Sequence, residues 1–420
     1  MAAWSSRRTR NTLVAARPVA IALFATGAPL GLASEFDARV KWHTTAQRLP
    51  VGDAQREATG ASNPLDHGAD LRLLMRRTFG SFTVEVDHAT TYLVGDSITS
   101  AADSGPTFDQ TPTGDERRLL DLTWEVDRGD RHRLLHRFDR FALKYRSSQW
   151  AVTIGRDAVS WGSGVVFHPM DLFNPFAPTT VDQDYKAGDD LIRIERLFDN
   201  GSDLEVLAVA RHGEIETDTA SVAFKYRALM GSSELDALAG QHYGGGVVGL
   251  GLRAPIGGAL IRSDLVAVDD GEGWTFSGVV NVDYSFPVAQ SSVYVFAEYF
   301  RNGFGVAGLP DDLDLLPDAL TDRLGRGETF TLMRDYLAVG TQFHWHALVN
   351  QNVSVIANLH DASKILQTAV GYDASEAVRL QVGVIMPMGG QGDEFGRLGV
   401  GDGLTVGGGS RGYLRLVYFF

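Results

Sequence analysis

The sequence contains no cysteine in its 420 residues, so it can form neither a disulfide bond nor a thiolate metal site. A chain without thiols suits an oxidising compartment, where a stray thiol is a liability. Beyond the N-terminus it also lacks any run of 18 apolar residues, which a membrane-spanning helix needs. If the chain lies in a membrane, it must therefore cross it as a closed β-barrel.

Basic residues are outnumbered, with 38 Lys and Arg against 52 Asp and Glu. Four of the arginines lie in residues 1–18, which carry no acid, and a largely apolar stretch ending in small residues follows at 19–33. This order is typical of a secretory signal peptide, so we predict removal of residues 1–33 and a mature chain of residues 34–420. A membrane anchor is the alternative, but a glycine and a proline interrupt the stretch, which is shorter than the roughly 20 residues of a spanning helix.

Loss of the four N-terminal arginines leaves 34 basic residues against 52 acidic ones, a formal charge of −18. Nucleic acid requires a basic surface, so we expect no nucleic-acid partner. His344 and His346 lie on one predicted strand and His360 on the next, a pattern compatible with a metal site. Histidines that line a polar interior explain it better, and we predict neither a metal nor a cofactor.

Alternation of apolar and polar residues dominates the chain after residue 34. Residues 274–285 show it most clearly, with Trp274, Phe276, Val280 and Tyr284 on one face. Alternation is typical of a strand with one apolar and one polar face. Such strands recur to the end of the chain, joined by short glycine-rich turns, and this is the pattern of a transmembrane β-barrel.

About 19 strand candidates follow Glu35, and a barrel with both termini at the same end needs an even number. We therefore predict an all-β fold, a single antiparallel transmembrane barrel of about 18 strands, with 16 as the alternative. Four long connections stand out, at 95–116, 157–189, 301–332 and 387–409. The strand count places the last three at one end and the first at the other. One strand is therefore misassigned, or one long connection lies at the opposite end.

The last strand carries the most specific feature, because alternating apolar residues lead to a terminal phenylalanine. It resembles the C-terminal strand of bacterial outer-membrane barrels. The resemblance implies recognition by the barrel-assembly machinery and a place in the lipid of a Gram-negative outer membrane. The residues that carry this signal are Leu414, Leu416, Tyr418 and Phe420.

The segment GRDAVSWGSGVVFHPMDLFNPFAP, residues 155–178, combines aromatic, proline, glycine and charged residues between two strands. Its Gly-Arg pair, Trp-Gly-x-Gly turn and His-Pro-x-Asp element resemble a motif of porin-like outer-membrane barrels, with a more distant similarity to alginate-export barrels. It departs from that motif at His168, where we expect Asn, and at Asp157, where we expect Gln. The resemblance implies passage of a solute across the outer membrane and names no solute.

A long connection of this kind can fold into the barrel and narrow it, so we predict that residues 155–178 form a constriction. The predicted constriction residues are Arg156, Asp157, Trp161, His168, Asp171, Arg193 and Glu195.

The sequence thus predicts a porin-like channel for small polar solutes, without enzymatic activity, and a homo-oligomer is an expectation drawn from porins in general. One alternative is the outer-membrane component of an exporter of polysaccharide or lipid-like cargo. Another is a lipase- or protease-type enzyme that uses Ser160, Ser163 and His168. Residues 155–178 lack the G-x-S-x-G sequence of a nucleophile elbow, which disfavours the enzyme.

Overall fold

A computed structural model describes residues 34–98, 114–212, 220–288, 291–310, 312–401 and 403–420. Eighteen strands pair with their neighbours in antiparallel fashion, and the first pairs with the last to close a barrel, as predicted. The barrel strands are β1 (Ser34–Arg48), β2 (Leu65–Phe79), β3 (Phe82–Gly95), β5 (His132–Arg146), β6 (Trp150–Asp157), β7 (Asp189–Leu197), β8 (Asp203–Ala210), β9 (Ser221–Met230), β10 (Ser233–His242), β11 (Gly245–Ile256), β12 (Ala259–Asp269), β13 (Trp274–Val288), β14 (Ser291–Arg301), β15 (Asp335–His346), β16 (Val349–Asn358), β17 (Lys364–Asp373), β18 (Val378–Met388) and β21 (Ser410–Phe419).

The remaining elements are short and lie in the connections. They are α1 (Ala54–Thr59), β4 (Thr123–Arg128), a 3-10 turn (Leu313–Leu315), α2 (Asp318–Arg326), and the hairpin strands β19 (Leu398–Gly399) and β20 (Thr405–Val406). Asp53 caps α1 by accepting from the backbone N–H groups of Gln55 and Arg56, and α2 ends at Gly327, whose φ of 69° favours glycine. Neither helix in the described ranges is long and apolar enough to cross a membrane.

Strand β4 explains the odd strand count. It pairs with β5 from Thr123↔Arg137 to Arg128↔Arg133, whereas β6 pairs with the other half of β5, from Phe141 onward. On its other edge β5 pairs directly with β3. β4 is thus an accessory strand outside the barrel count, and it accounts for the odd one among the 19 strand candidates. Two barrel strands separate the first two long connections, so all four long connections start and finish at one end.

We call this end the loop end and the opposite end the turn end. The first strand begins and the last strand ends at the turn end, where the Phe420 N–H donates to the Ala38 carbonyl oxygen. Connections there are tight, at 80–81, 147–149, 198–202, 231–232, 257–258, 347–348 and 374–377. The sequence left open which end the 157–189 connection occupies, and the structure places it at the loop end.

The barrel wall is apolar outside and charged inside. On β13 the predicted apolar face points outward, with Phe276 67% exposed, while the intervening Asn281 is completely buried. Asp264 on β12 and Glu298 on β14 are likewise buried and inward. A soluble protein shows the reverse arrangement, whereas a barrel surrounded by lipid requires this one.

One break in the alternation has a local cause. The pairing of β3 with β5 passes from Asp87↔Arg140 to His88↔Phe138, so Asp139 sits in a β-bulge. The bulge turns the Asp139 side chain to the inside of the barrel, where it forms ion pairs with Arg72 and Arg137. Strict alternation along β5 would place Asp139 on the same face as Phe141, and the extra residue is the reason that it lies on the opposite face.

Candidate functional site

The candidate site is the chain between β6 and β7, residues 158–188, which we call the plug segment. It has no helix or strand, and its prolines and glycines keep it irregular. A Cβ at Gly164 would lie 1.9 Å from the Phe167 carbonyl oxygen, so only glycine fits this turn. An irregular segment inside a barrel needs partners for its backbone N–H groups.

Acidic side chains on the barrel wall supply those partners. Asp264 accepts from the Ser163 N–H at 2.6 Å and from the Ser163 hydroxyl at 2.8 Å. Glu298 accepts from the three consecutive N–H groups of residues 165–167, at 2.6, 3.0 and 2.7 Å. Because both wall residues face inward, these bonds place the plug segment inside the barrel.

Apolar side chains fix the plug segment to one side of the wall. Trp161, Met170 and Phe173 are buried against inward residues of β7 to β12, and the Trp161 ring meets that of Phe173 edge-on at 5.3 Å. Phe167 stacks on Phe300 of β14 at 4.4 Å, in a second cluster that continues to β16. Burial of each such side chain contributes roughly 1.5–3 kcal/mol, so the plug segment is firmly seated.

Ion pairs and a cation–π contact join it to the opposite side. The carboxylates of Asp182 and Asp184 form ion pairs with Lys41 of β1 and Arg415 of β21. The Tyr185 ring lies under the guanidinium of Arg72, 3.8 Å from its centroid. The plug segment therefore contacts strands all around the barrel, but through different chemistry on its two sides.

Arg156 sits at the base of the plug segment and is 1% exposed. Its guanidinium donates to Asp190 of β7 at 2.9 Å, to Asp115 at 2.9 and 3.0 Å, and to the Leu120 carbonyl oxygen at 2.5 Å. Arg156 thus ties β6, β7 and the segment before β4 together, and it faces no open lumen.

Asp157, Arg193 and Glu195 form a neighbouring charged group on the wall. The Asp157 carboxylate forms ion pairs with Arg193 at 2.9 Å, Lys144 at 3.1 Å and Arg140 at 3.3 Å. Arg193 also contacts Glu195 at 3.2 Å, and Glu195 keeps about a third of its side chain exposed. Of these three predicted constriction residues, Glu195 is the most open to water.

Asp171 and Lys186 form an ion pair within the plug segment, and Lys186 also donates to the Val159 carbonyl oxygen. Burial raises the pKa of Asp171 to about 6 and lowers the pKa of Lys186. Burial and the charge of Lys186 lower the pKa of His168 to about 4. His168 is therefore neutral near pH 7 and contributes no charge to the lumen.

The serines and histidines of the two alternatives do not assemble. Ser163 is bonded to Asp264, Ser160 is exposed, and no side-chain hydrogen bond joins either to His168 in the described ranges. His360 accompanies Asp335 at the loop end of β15, whereas His344 and His346 lie at its turn end. One metal ion cannot reach all three histidines.

A serine, a histidine and a glutamate do meet elsewhere, at a site that the sequence analysis missed. The Ser221 hydroxyl lies 2.9 Å from His242 Nδ1, and His242 Nε2 lies 3.2 Å from Glu328. Ser221 is 1% exposed and accepts from Arg211, so a substrate cannot reach its oxygen. The group links β9 and β10 to the end of the α2 connection, and it acts as an anchor.

Of the four C-terminal residues, Leu414, Tyr418 and Phe420 are exposed on the outside of the barrel. Their role as an assembly signal stays a prediction. The main contacts of the plug segment, Asp264 and Glu298, lie more than 100 residues away, and the sequence holds no signal that pairs them with it.

A closed barrel with an apolar outside, a charged inside and an inserted connection defines the transmembrane β-barrel fold. Solved porins share it. A BenF-like porin from Pseudomonas fluorescens Pf-5 is similar with a TM-score of 0.53 and 11% identity, over 92% of this chain and 98% of that chain. Pseudomonas aeruginosa OccK5 (OpdH) gives 0.51 at 10% identity, over 92% and 98% of the two chains. OccD3 (OpdP) from the same species gives 0.51 at 9%, over 92% and 91%.

No protein-family model and no curated protein matches the sequence. At identities near 10% the structural likeness shows the fold alone. It confirms the porin-like barrel that the sequence predicted. The similarity to alginate-export barrels stays a prediction.

Proposed function

We propose that this protein is an outer-membrane channel of the porin type, through which small polar solutes pass without chemistry. The observation that carries the proposal is the inverted wall, apolar toward the surroundings and charged toward the lumen. An apolar exterior suits lipid, and a charged interior stays hydrated. The fold shared with solved porins supports the same assignment.

The plug segment is the proposed constriction. It enters from the loop end and contacts both sides of the lumen, so a solute must pass beside it. We further propose that the loop end faces the outside of the cell, that residues 1–33 direct export, and that the C-terminal strand is recognised during assembly.

Conductance of the refolded protein in planar lipid bilayers tests the proposal. The expected result is discrete single-channel steps whose size rises with salt concentration. Protein refolded in parallel but heat-denatured before addition is the control and should give none. Absence of channels from folded protein at every salt concentration and voltage would overturn the proposal.

A further inference from the structure

We propose that solutes pass along one side of the plug segment, between residues 178–185 and the wall of β17, β18, β21, β1 and β2. We also propose that a group of four side chains there sets the charge selectivity. We call this group the clasp; it consists of Asp182, Asp184, Lys41 and Arg415. The inference rests on the proposed channel function and adds the route and its selectivity residues.

The plug segment is sealed against the wall from β7 to β16. Inward apolar residues of every one of these strands join the two clusters around Trp161 and Phe167, and most members are less than 5% exposed. They include Leu207 of β8, Val266 of β12 and Ile356 of β16. At the level of these clusters, close-packed apolar contact leaves no room for water or hydrated solutes. The route must therefore lie elsewhere.

The opposite side of the plug segment is accessible to water. Lys41 donates to Asp182 at 2.7 Å, Arg415 donates to Asp184 at 2.5 Å, and the Gln367 amide donates to the Pro178 carbonyl oxygen at 3.2 Å. Although they lie inside the barrel, the Asp182 and Asp184 side chains are 46% and 40% exposed. Water thus reaches the plug segment on this side.

The charges on this side are layered. Three cations, Arg39, Lys41 and Arg415, line the wall beneath the two carboxylates, and their side chains are only 5–11% exposed. The carboxylates cover the cations and face the water. Hydrogen bonds from Lys41 and Arg415 outweigh the effect of burial and lower the pKa of Asp184 to about 2, so Asp184 is ionised at neutral pH.

Arg39 carries one of the positive charges that the two carboxylates offset. Two of its guanidinium nitrogens, Nε and Nη2, are buried without a hydrogen-bond partner among the described residues. Its charge contacts Asp184 only at 3.9 Å, and the Tyr185 ring lies 4.2 Å away. Removal of the two carboxylates would leave three cations beside the route. Anions should then be favoured, because fixed charge in a narrow pore sets the electrostatic preference.

The test is the reversal potential of single channels under a potassium chloride gradient. The double variant Asp182→Asn/Asp184→Asn should raise the chloride-to-potassium permeability ratio several-fold. The variant Lys41→Gln/Arg415→Gln should lower it. Glu234→Gln is the matched control. It removes a lumen carboxylate whose side chain is 36% exposed, but from β10, one of the strands against which the plug segment is sealed, so the ratio should stay unchanged.

A second measurement does not depend on the charge variants folding with an intact clasp. The chain has no cysteine, so Asp182→Cys gives a single thiol in the route and Ala223→Cys a single thiol on the sealed side. A thiol-reactive sulfonate should block current through the first variant and not through the second. Absence of channels in the unmodified protein would overturn the channel function itself. Channels whose selectivity ignores both charge variants, or whose current survives modification of Cys at 182, would overturn only the route.

Discussion

At the scale of single residues, two wall carboxylates decide where the plug segment lies. Glu298 accepts three consecutive backbone N–H groups, from residues 165–167. Neutral glutamine keeps one acceptor oxygen and brings an N–H₂ group toward donors. Glu298→Gln should therefore leave at least one buried N–H without a partner, at a cost on the order of 1–3 kcal/mol.

Hydrogen exchange of residues 163–168 measures that cost. Their protection should fall in Glu298→Gln and stay unchanged in the control Glu234→Gln, whose side chain lies on β10 and pairs with Arg253. Equal protection in both variants would contradict the anchoring role of Glu298.

Arg156 provides a second prediction at this scale. Arg156→Ala would leave Asp190 buried without its cation and Asp115 with Arg118 alone, and loss of one partner of a buried pair costs about 3–5 kcal/mol. The exposed pair of Arg379 and Asp373 is the control, because Arg379→Ala should cost no more than about 1 kcal/mol. Urea unfolding in detergent micelles compares the two variants. Similar stability losses would show that the Arg156 network is not stabilising.

The residue scale also shows what the sequence could not supply. The charge and aromatic content of residues 155–178 drew attention to a segment that lies inside the barrel. Its chemistry did not distinguish Arg156, which is fully paired, from Asp182 and Asp184, which face water and were not predicted. Pairing depends on contacts across up to 233 residues of chain, and alternation along a strand carries no information about them.

At the scale of elements, the connection 389–409 carries a partly buried acid. Glu394 accepts from the Tyr336 hydroxyl at 2.6 Å, the Asn358 amide at 2.7 Å and the Leu332 N–H at 2.6 Å. Tyr336 and Asp361 are the titratable groups beside it, and neither supplies a positive charge. Burial is the main cause that raises the pKa of Glu394, to about 7 from an ordinary value of 4.5.

This shift makes the seating of the connection depend on pH. A carboxyl with a raised pKa binds its proton more tightly when the connection is seated. Ionisation therefore weakens seating progressively between pH 4.5 and 7, by about 3 kcal/mol in total, and no further above pH 7. Exchange protection of residues 390–397, corrected for the intrinsic pH dependence of exchange, should fall over this window. Glu394→Gln should remove the dependence, and persistence of the pH dependence in that variant would assign it to another group.

Elements also mark the limit of strand prediction. Alternation is a local property, so it predicted the strands and the closed barrel. β4 alternates as a barrel strand does, through Trp124 and Val126, yet it pairs only with half of β5. The Asp139 bulge is invisible for the same reason, since a single extra residue shows only when both paired strands are seen together.

At the scale of the whole molecule, the barrel has two unlike ends. Among the described residues, the connections at the end that holds both termini are all short, whereas the long connections and the plug segment enter from the other end. Barrels of the outer membrane have short periplasmic turns and longer extracellular loops. We therefore expect the loop end to face the outside of the cell.

The absence of cysteine makes this orientation directly testable. Glu272→Cys places one thiol in the exposed 270–273 turn at the loop end, and Ser232→Cys places one in the tight turn between β9 and β10 at the opposite end. A membrane-impermeant maleimide added to intact Gram-negative cells that express the protein should label only the Cys at 272. After the cells are broken, both should be labelled, which controls for reactivity. Labelling of the Cys at 232 alone in intact cells would reverse the orientation. Labelling of neither variant in intact cells would show that neither end of the barrel is exposed at the cell surface.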